Sequence, residues 1–188
     1  MKKEVPLFKV FMAPNAGEEV SKVLHSGFIG QGPKVEEFES QLSNYFKNDK
    51  LVTLNSGTSG LHLALHRLKN KTQYNIESGD EVLATSLTCT ASNFPILANG
   101  LKIKWVDIDA TTLNMDLDDL ARKITPKTKA IFVVHWGGYP IDLDRLSEIQ
   151  NQASRLYGFK PAIIEDCAHA MGSKYKGKFI GTHGNICT

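Results

Sequence analysis

The stretch AIFVVHWGGYPIDLDRLSEIQNQASRLYGFKPAIIED, from Ala130 to Asp166, decides the fold. It opens with a near-continuous apolar run, Ala130–Val134. An amphipathic stretch from about Leu143 to Tyr157 follows and stops at Gly158. A second apolar run, Ala162–Ile164, closes it. Short apolar strands separated by a helix predict a parallel sheet, buried on both faces by its crossover helices.

The same alternation continues upstream. Leu51–Leu54 reads as a strand running into Asn55–Ser59, then a helix from about Gly60 to Lys69. Glu81–Thr85 is the next strand, followed by a helix from about Thr90 to Ala98 that Asn99-Gly100 stops. Ile103–Val106 is a further strand, and Asp116 caps a helix running through Ile124. Downstream, Ser173–Ile180 reads as a hairpin turning at Lys176-Gly177-Lys178. Before the first strand lie two helices, Glu18–His25 and Val35–Phe46, joined by the glycine-rich Gly27–Pro33. The expected fold is α/β, a mostly parallel sheet with helices on both faces. Residues 1–48 form an N-terminal helical segment and 49–188 the sheet, with no linker dividing the chain into two domains.

With 188 residues, 41% of them hydrophobic, the chain can bury one sizeable core. A net charge of +2, with no basic stripe interleaved with aromatics, speaks against nucleic acid as a partner. The longest apolar run is too short to span a bilayer and no signal-peptide stretch follows the N-terminus, so a cytoplasmic protein without membrane contact is expected. Cys89, Cys167 and Cys187 are an odd set without close spacing, which argues against a disulfide framework or a zinc knuckle. His62 and His66 stand four apart on a helix but lack the glutamate of a zincin motif, so no metal is expected.

In open α/β sheets ligands sit at the carboxyl ends of the strands, and two places there carry chemistry. Ser56-Gly57-Thr58-Ser59 lies between a strand and a helix start. Glycine permits a close turn, and the unpaired N–H groups of a helix N-terminus suit a phosphate, although plain capping explains the hydroxyls equally well. Glu165-Asp166-Cys167-Ala168-His169-Ala170 follows a strand. A carboxylate there either holds a cationic ring nitrogen or caps the next segment. His135 is open between a site role and a polar residue satisfied at a strand end.

Taken in order, several segments resemble the DegT/DnrJ/EryC1/StrS family of pyridoxal phosphate-dependent nucleotide-sugar aminotransferases, which has the aspartate-aminotransferase type of fold. They are Gly32-Pro33 with Phe38 and Glu39, Asn55–Ser59 with Leu61–Leu65, Gly79–Val82, Val106–Asp109, Ile124–Ile131, Val134-His135, Glu165-Asp166, and Tyr175–Lys178 with Gly181. The resemblance implies transfer of an amino group, from glutamate, to a keto nucleotide-sugar in polysaccharide biosynthesis, by a homodimer. It implies that Gly57, Thr58 and Ser59 hold the cofactor phosphate, that Asp166 pairs with the pyridine nitrogen, and that His169 lies near the ring hydroxyl. The position after Ser86-Leu87-Thr88, an aromatic stacked on the ring in relatives, is Cys89 here. Gly30–Pro33 would lie at the active-site mouth near the subunit interface.

The family pattern makes Gly184–Thr188 the sixth strand and places the Schiff-base lysine beyond Thr188, so no catalytic residue is expected within the chain. A large domain truncated before its last strand and small domain is expected, inactive by itself. Lys174, Lys176 and Lys178 fall in the surface hairpin. The alternative readings are a sugar 3-dehydratase of the same fold, in which a histidine replaces that lysine, or a non-catalytic fragment that acts by binding a partner.

Overall fold

The computed structural model describes residues 9–71, 73–184 and 186–188. They form two compact units that divide between Thr53 and Leu54.

The first unit holds two helices. Helix α1 (Ala16–Ser26) ends at Gly27 in the left-handed conformation. Helix α2 (Pro33–Phe46) starts with Pro33 in its first turn, where the missing N–H costs nothing. Neither helix has a buried residue. Leu51–Leu54 forms no ladder, against the strand expected. An alternating run becomes a strand only beside a partner edge. Here the Thr53 backbone N–H instead donates to Glu39 Oε1 at 2.7 Å, and the Thr53 hydroxyl donates to the same oxygen at 2.8 Å.

The second unit is built on a five-stranded parallel sheet in the order β2-β1-β3-β4-β7. Its strands are β1 (Glu81–Thr85), β2 (Lys102–Val106), β3 (Thr128–Val134), β4 (Ala162–Asp166) and β7 (Ile186–Cys187). Helices α3 (Gly57–Lys69) and α4 (Thr90–Ala98) cover one face, and α5 (Leu117–Lys123) and α6 (Leu143–Tyr157) the other. Successive side chains of each strand enter opposite cores. Val82, Ala84, Ala130, Phe132, Ala162 and Ile164 pack with Leu61, Leu65, Leu68 and Ile96. Leu83, Ile131, Val133 and Ile163 pack with Leu120, Leu146 and Ile149. Burial on both faces is why these strands read as unbroken apolar runs. Asp116 and Asp142 cap α5 and α6, each accepting two backbone N–H bonds.

The hairpin is β5 (Lys174–Tyr175) and β6 (Lys178–Phe179), turned by Lys176 and Gly177 at φ of 48° and 82°. Two elements differ from expectation in ways that matter for the site. Strand β4 runs on through Glu165 and Asp166, because β3 continues to pair with it at Val133 and Val134. Helix α3 begins at Gly57 rather than Gly60, because Ser56 supplies the cap. Among the described residues, no helix is long and apolar enough to cross a membrane.

Candidate active site

The site stands at the carboxyl ends of the strands in the second unit. Ser56 caps α3: its Oγ accepts from the Ser59 backbone N–H at 3.1 Å, and its own hydroxyl donates to Ser59 Oγ at 2.9 Å. Four N–H groups of a helix start lack intrahelical partners. That of Ser59 is satisfied by the Ser56 hydroxyl oxygen, while the Ser56 carbonyl accepts the first helical bond, from Gly60 at 3.1 Å. Those of Gly57 and Thr58 remain in the turn, with open space around Gly57. Capping by Ser56 therefore leaves the Gly57 and Thr58 amides in an open turn.

Gly60 brings α3 against the sheet: a Cβ there would meet the Thr188 methyl at 3.0 Å. Thr188 in turn donates its N–H to the Glu165 carbonyl and accepts from Cys167 N. Thr188, one residue past β7, therefore stands between the start of α3 and the end of β4, where Asp166 lies.

Asp166 is 5% exposed. Its Oδ1 accepts from Ala168 N at 3.1 Å and its Oδ2 from the Ser92 hydroxyl at 2.7 Å. The capping reading of this aspartate is seen directly. One oxygen caps the following turn and the other faces α4. Cys89, exposed, is the N-cap of α4 in extended conformation. His169 is exposed; its Nδ1 accepts from Gly137 N at 3.2 Å, and its ring meets Trp136 edge-on at 5.3 Å. Gly138 (φ 80°) permits this packing, since a Cβ would lie 2.8 Å from the His169 carbonyl.

His135 resolves to the structural alternative. It is fully buried, with Nε2 3.1 Å from Glu165 Oε2 and Nδ1 accepting from Ile141 N at 3.3 Å. The Ile141 N–H fixes the proton on Nε2, which donates to Glu165. Burial raises the Glu165 pKa, but the bonds from His135, Gly184 N–H and Gly181 N–H outweigh it and hold the carboxyl below its ordinary value. His135, Glu165 and Cys167 bring ligand-type atoms within 4.8 Å of one another. In this arrangement the His135 and Glu165 side chains satisfy one another by hydrogen bonding. Cys167 and Cys187, distant in sequence, have adjacent thiols; contact with Cys187 and burial push the Cys167 pKa up, so it stays a thiol. The hairpin lysines 174, 176 and 178 are exposed, and Lys176 pairs with Asp144, which raises its pKa. Sequence reasoning missed Ser92, Thr88 and the Glu165–His135 pair. The only available signal was two hydroxyl residues around the start of a helix that follows a strand.

A helix-covered parallel sheet with a capped helix start and a buried carboxylate at the carboxyl ends of its strands defines an α/β protein with a ligand-type site at that end of the sheet. Residues 12–188 match the DegT/DnrJ/EryC1/StrS aminotransferase family, and the chain belongs to it. It is 55% identical to AtS13 from Actinomadura melliaura (TM-score 0.90, covering 97% of this chain and 48% of that one). It is 49% identical to the sugar aminotransferase CalS13 from Micromonospora echinospora (TM-score 0.88, 98% and 48%). GDP-perosamine synthase of Escherichia coli O157:H7 is 36% identical over 187 residues, 99% of this chain and 48% of that protein. The sugar aminotransferase Spr1654 from Streptococcus pneumoniae, solved in PLP and PMP forms, is 34% identical with TM-score 0.86, covering 98% of this chain and under half of its own. A GDP-4-keto-6-deoxy-D-mannose-3-dehydratase of E. coli, with bound hydrated PLP, is 28% identical with TM-score 0.86, covering 96% of this chain and 45% of that one. The chain spans about half the length of the relatives it matches.

Proposed function

We propose that the chain is the cofactor-binding part of an enzyme that transfers an amino group from glutamate to a keto nucleotide-sugar, using pyridoxal 5'-phosphate or its amine form. The observation that carries the reading is the placement of Asp166, buried at the end of β4, at the same sheet edge as the open first turn of α3. The residues fit the cofactor's two charges: N–H groups of Gly57 and Thr58, with the Ser59 hydroxyl, for a phosphate, and an acceptor carboxylate for a protonated ring nitrogen. When bound, the cofactor supplies an electron sink for moving the amino group. Asp166 holds the proton on the ring nitrogen, which sustains that sink. His169, with Nδ1 occupied by Gly137 N–H, would have Nε2 left for the ring hydroxyl. Cys89 at the start of α4 would offer the ring face a small, polarizable side chain.

Aminotransfer is preferred over sugar 3-dehydration because identity to CalS13 is 49% against 28% to the dehydratase. Exposure and pairing make the hairpin lysines poor nucleophiles. We therefore read the 188-residue chain as inactive by itself, and a purely non-catalytic fragment as the remaining alternative. Exposed Val20, Leu24, Ile29 and Phe38 in the first unit favour contact with a second copy.

The test is Asp166→Ala in a form of the enzyme carrying the covalent lysine. Glutamate-dependent conversion of the cofactor to its amine form is expected to fall by about a thousandfold, some 4 kcal/mol in the barrier, while the protein still folds. Near-normal turnover would overturn the assignment.

A further inference from the structure

Asp166 is backed by a directed chain of hydroxyl groups. Ser92, 2% exposed and in the first turn of α4, places Oγ 2.7 Å from Asp166 Oδ2. Thr88 Oγ1 lies 2.7 Å from the same Ser92 oxygen. An ionised carboxylate only accepts, and serine has one O–H to give. Ser92 must therefore donate to Asp166, and Thr88 must donate to Ser92. The order Thr88 to Ser92 to Asp166 is the only one in which every hydrogen is used.

The serine is also rigidly placed. Asn93 Nδ2 donates to the Thr85 carbonyl at 3.1 Å, which ties the start of α4 to the end of β1. A serine inside a helix commonly returns its hydroxyl to its own backbone; this one crosses to another element. With Ala168 N–H on Oδ1 and Ser92 O–H on Oδ2, one donor sits on each oxygen. The carboxylate plane is fixed, and acceptor capacity remains on both oxygens.

We propose that Ser92, oriented by Thr88, is a positioning residue that locks the Asp166 carboxylate, correctly turned, against the pyridine nitrogen of the cofactor. The inference rests on the reading of Asp166 given above. A serine that merely fills space would leave the ring nitrogen unaffected by its removal. A serine that orients the acceptor sets how firmly the nitrogen keeps its proton.

The experiment reads the nitrogen directly. Ring-¹⁵N-labelled pyridoxamine 5'-phosphate is added in saturating amount to the 188-residue chain, and its nitrogen chemical shift is followed against pH. In the unmodified chain the nitrogen should stay protonated to a higher pH than in the free cofactor. Asp166→Ala should abolish that elevation. Ser92→Ala should lower the midpoint by about one pH unit, a tenfold change, with phosphate-anchored binding retained. Thr88→Val should lower it less, and Ser92→Thr should restore it. If Ser92→Ala does not fold, Thr88→Val decides, since Thr88 is only partly buried. A midpoint unchanged in Ser92→Ala or, failing that, Thr88→Val, while Asp166→Ala abolishes the elevation, overturns the Ser92 proposal and leaves Asp166 standing. No binding, or no elevation in the unmodified chain, overturns both.

Discussion

Glu165 and Asp166 are sequence neighbours with opposite destinations. Strand alternation sends Glu165 to His135 and the Gly181 and Gly184 amides, and Asp166 to Ser92 on α4. Asp166 was legible in the sequence as an acid at a strand end. Its partner was not, because Ser92 lies 74 residues away and nothing local marks which hydroxyl crosses to it. The Glu165–His135 pair was hidden for the same reason. Glu165→Gln would set an amide donor against groups that are already donors, and unfolding free energy should fall by about 2–4 kcal/mol in urea titration. The sign with pH follows from the lowered Glu165 pKa. Its contribution is complete above the unfolded value of about 4.3 and is lost as pH falls through the folded value. The urea midpoint of the wild type should therefore drop below about pH 4, and the Glu165→Gln variant should lose this part of the drop. Equal acid sensitivity in both would contradict the pairing.

At the scale of elements, runs with a strong period were readable, and those whose fate depends on a partner were not. β1, α4 and α6 lie where apolar period, caps and glycine stops place them. Leu51–Leu54 has strand composition, but the Glu39 carboxylate takes up the Thr53 N–H that a ladder would use. The turn Trp136–Gly138 that receives His169 depends on two glycines at positive φ. A Cβ at Gly137 meets nothing within 4 Å, whereas one at Gly138 would meet the His169 carbonyl at 2.8 Å. Gly137→Ala should therefore cost about 1 kcal/mol of backbone strain, and Gly138→Ala about 2–4 kcal/mol, because a main-chain atom must also move. Thermal melts of the two variants check the difference; equal melting temperatures would refute the packing of this turn.

At the scale of the whole molecule, a helix-covered parallel sheet followed from the alternation of apolar runs and helices. Strand order and the number of residues in the last strand did not. Among the described residues β7 pairs with β4 at Ile186 and Cys187, and so short a pattern carries little periodic signal. The first unit leaves Val20, Leu24, Ile29 and Phe38 exposed, between 51% and 74% each. Val20 and Leu24 on α1, Phe38 on α2 and Ile29 in the loop between them favour self-association, so light scattering at micromolar concentration should give a dimer or larger species. A well-behaved monomer would count against a second copy as the partner. The central claim is that the start of α3 and the end of β4 hold the two ends of one cofactor, and a crystal structure of the chain with pyridoxal 5'-phosphate tests it most directly. The account predicts the phosphate within about 3 Å of the Gly57 and Thr58 amides, with the ring nitrogen against Asp166; a phosphate bound elsewhere, with this turn closed by protein, would contradict it.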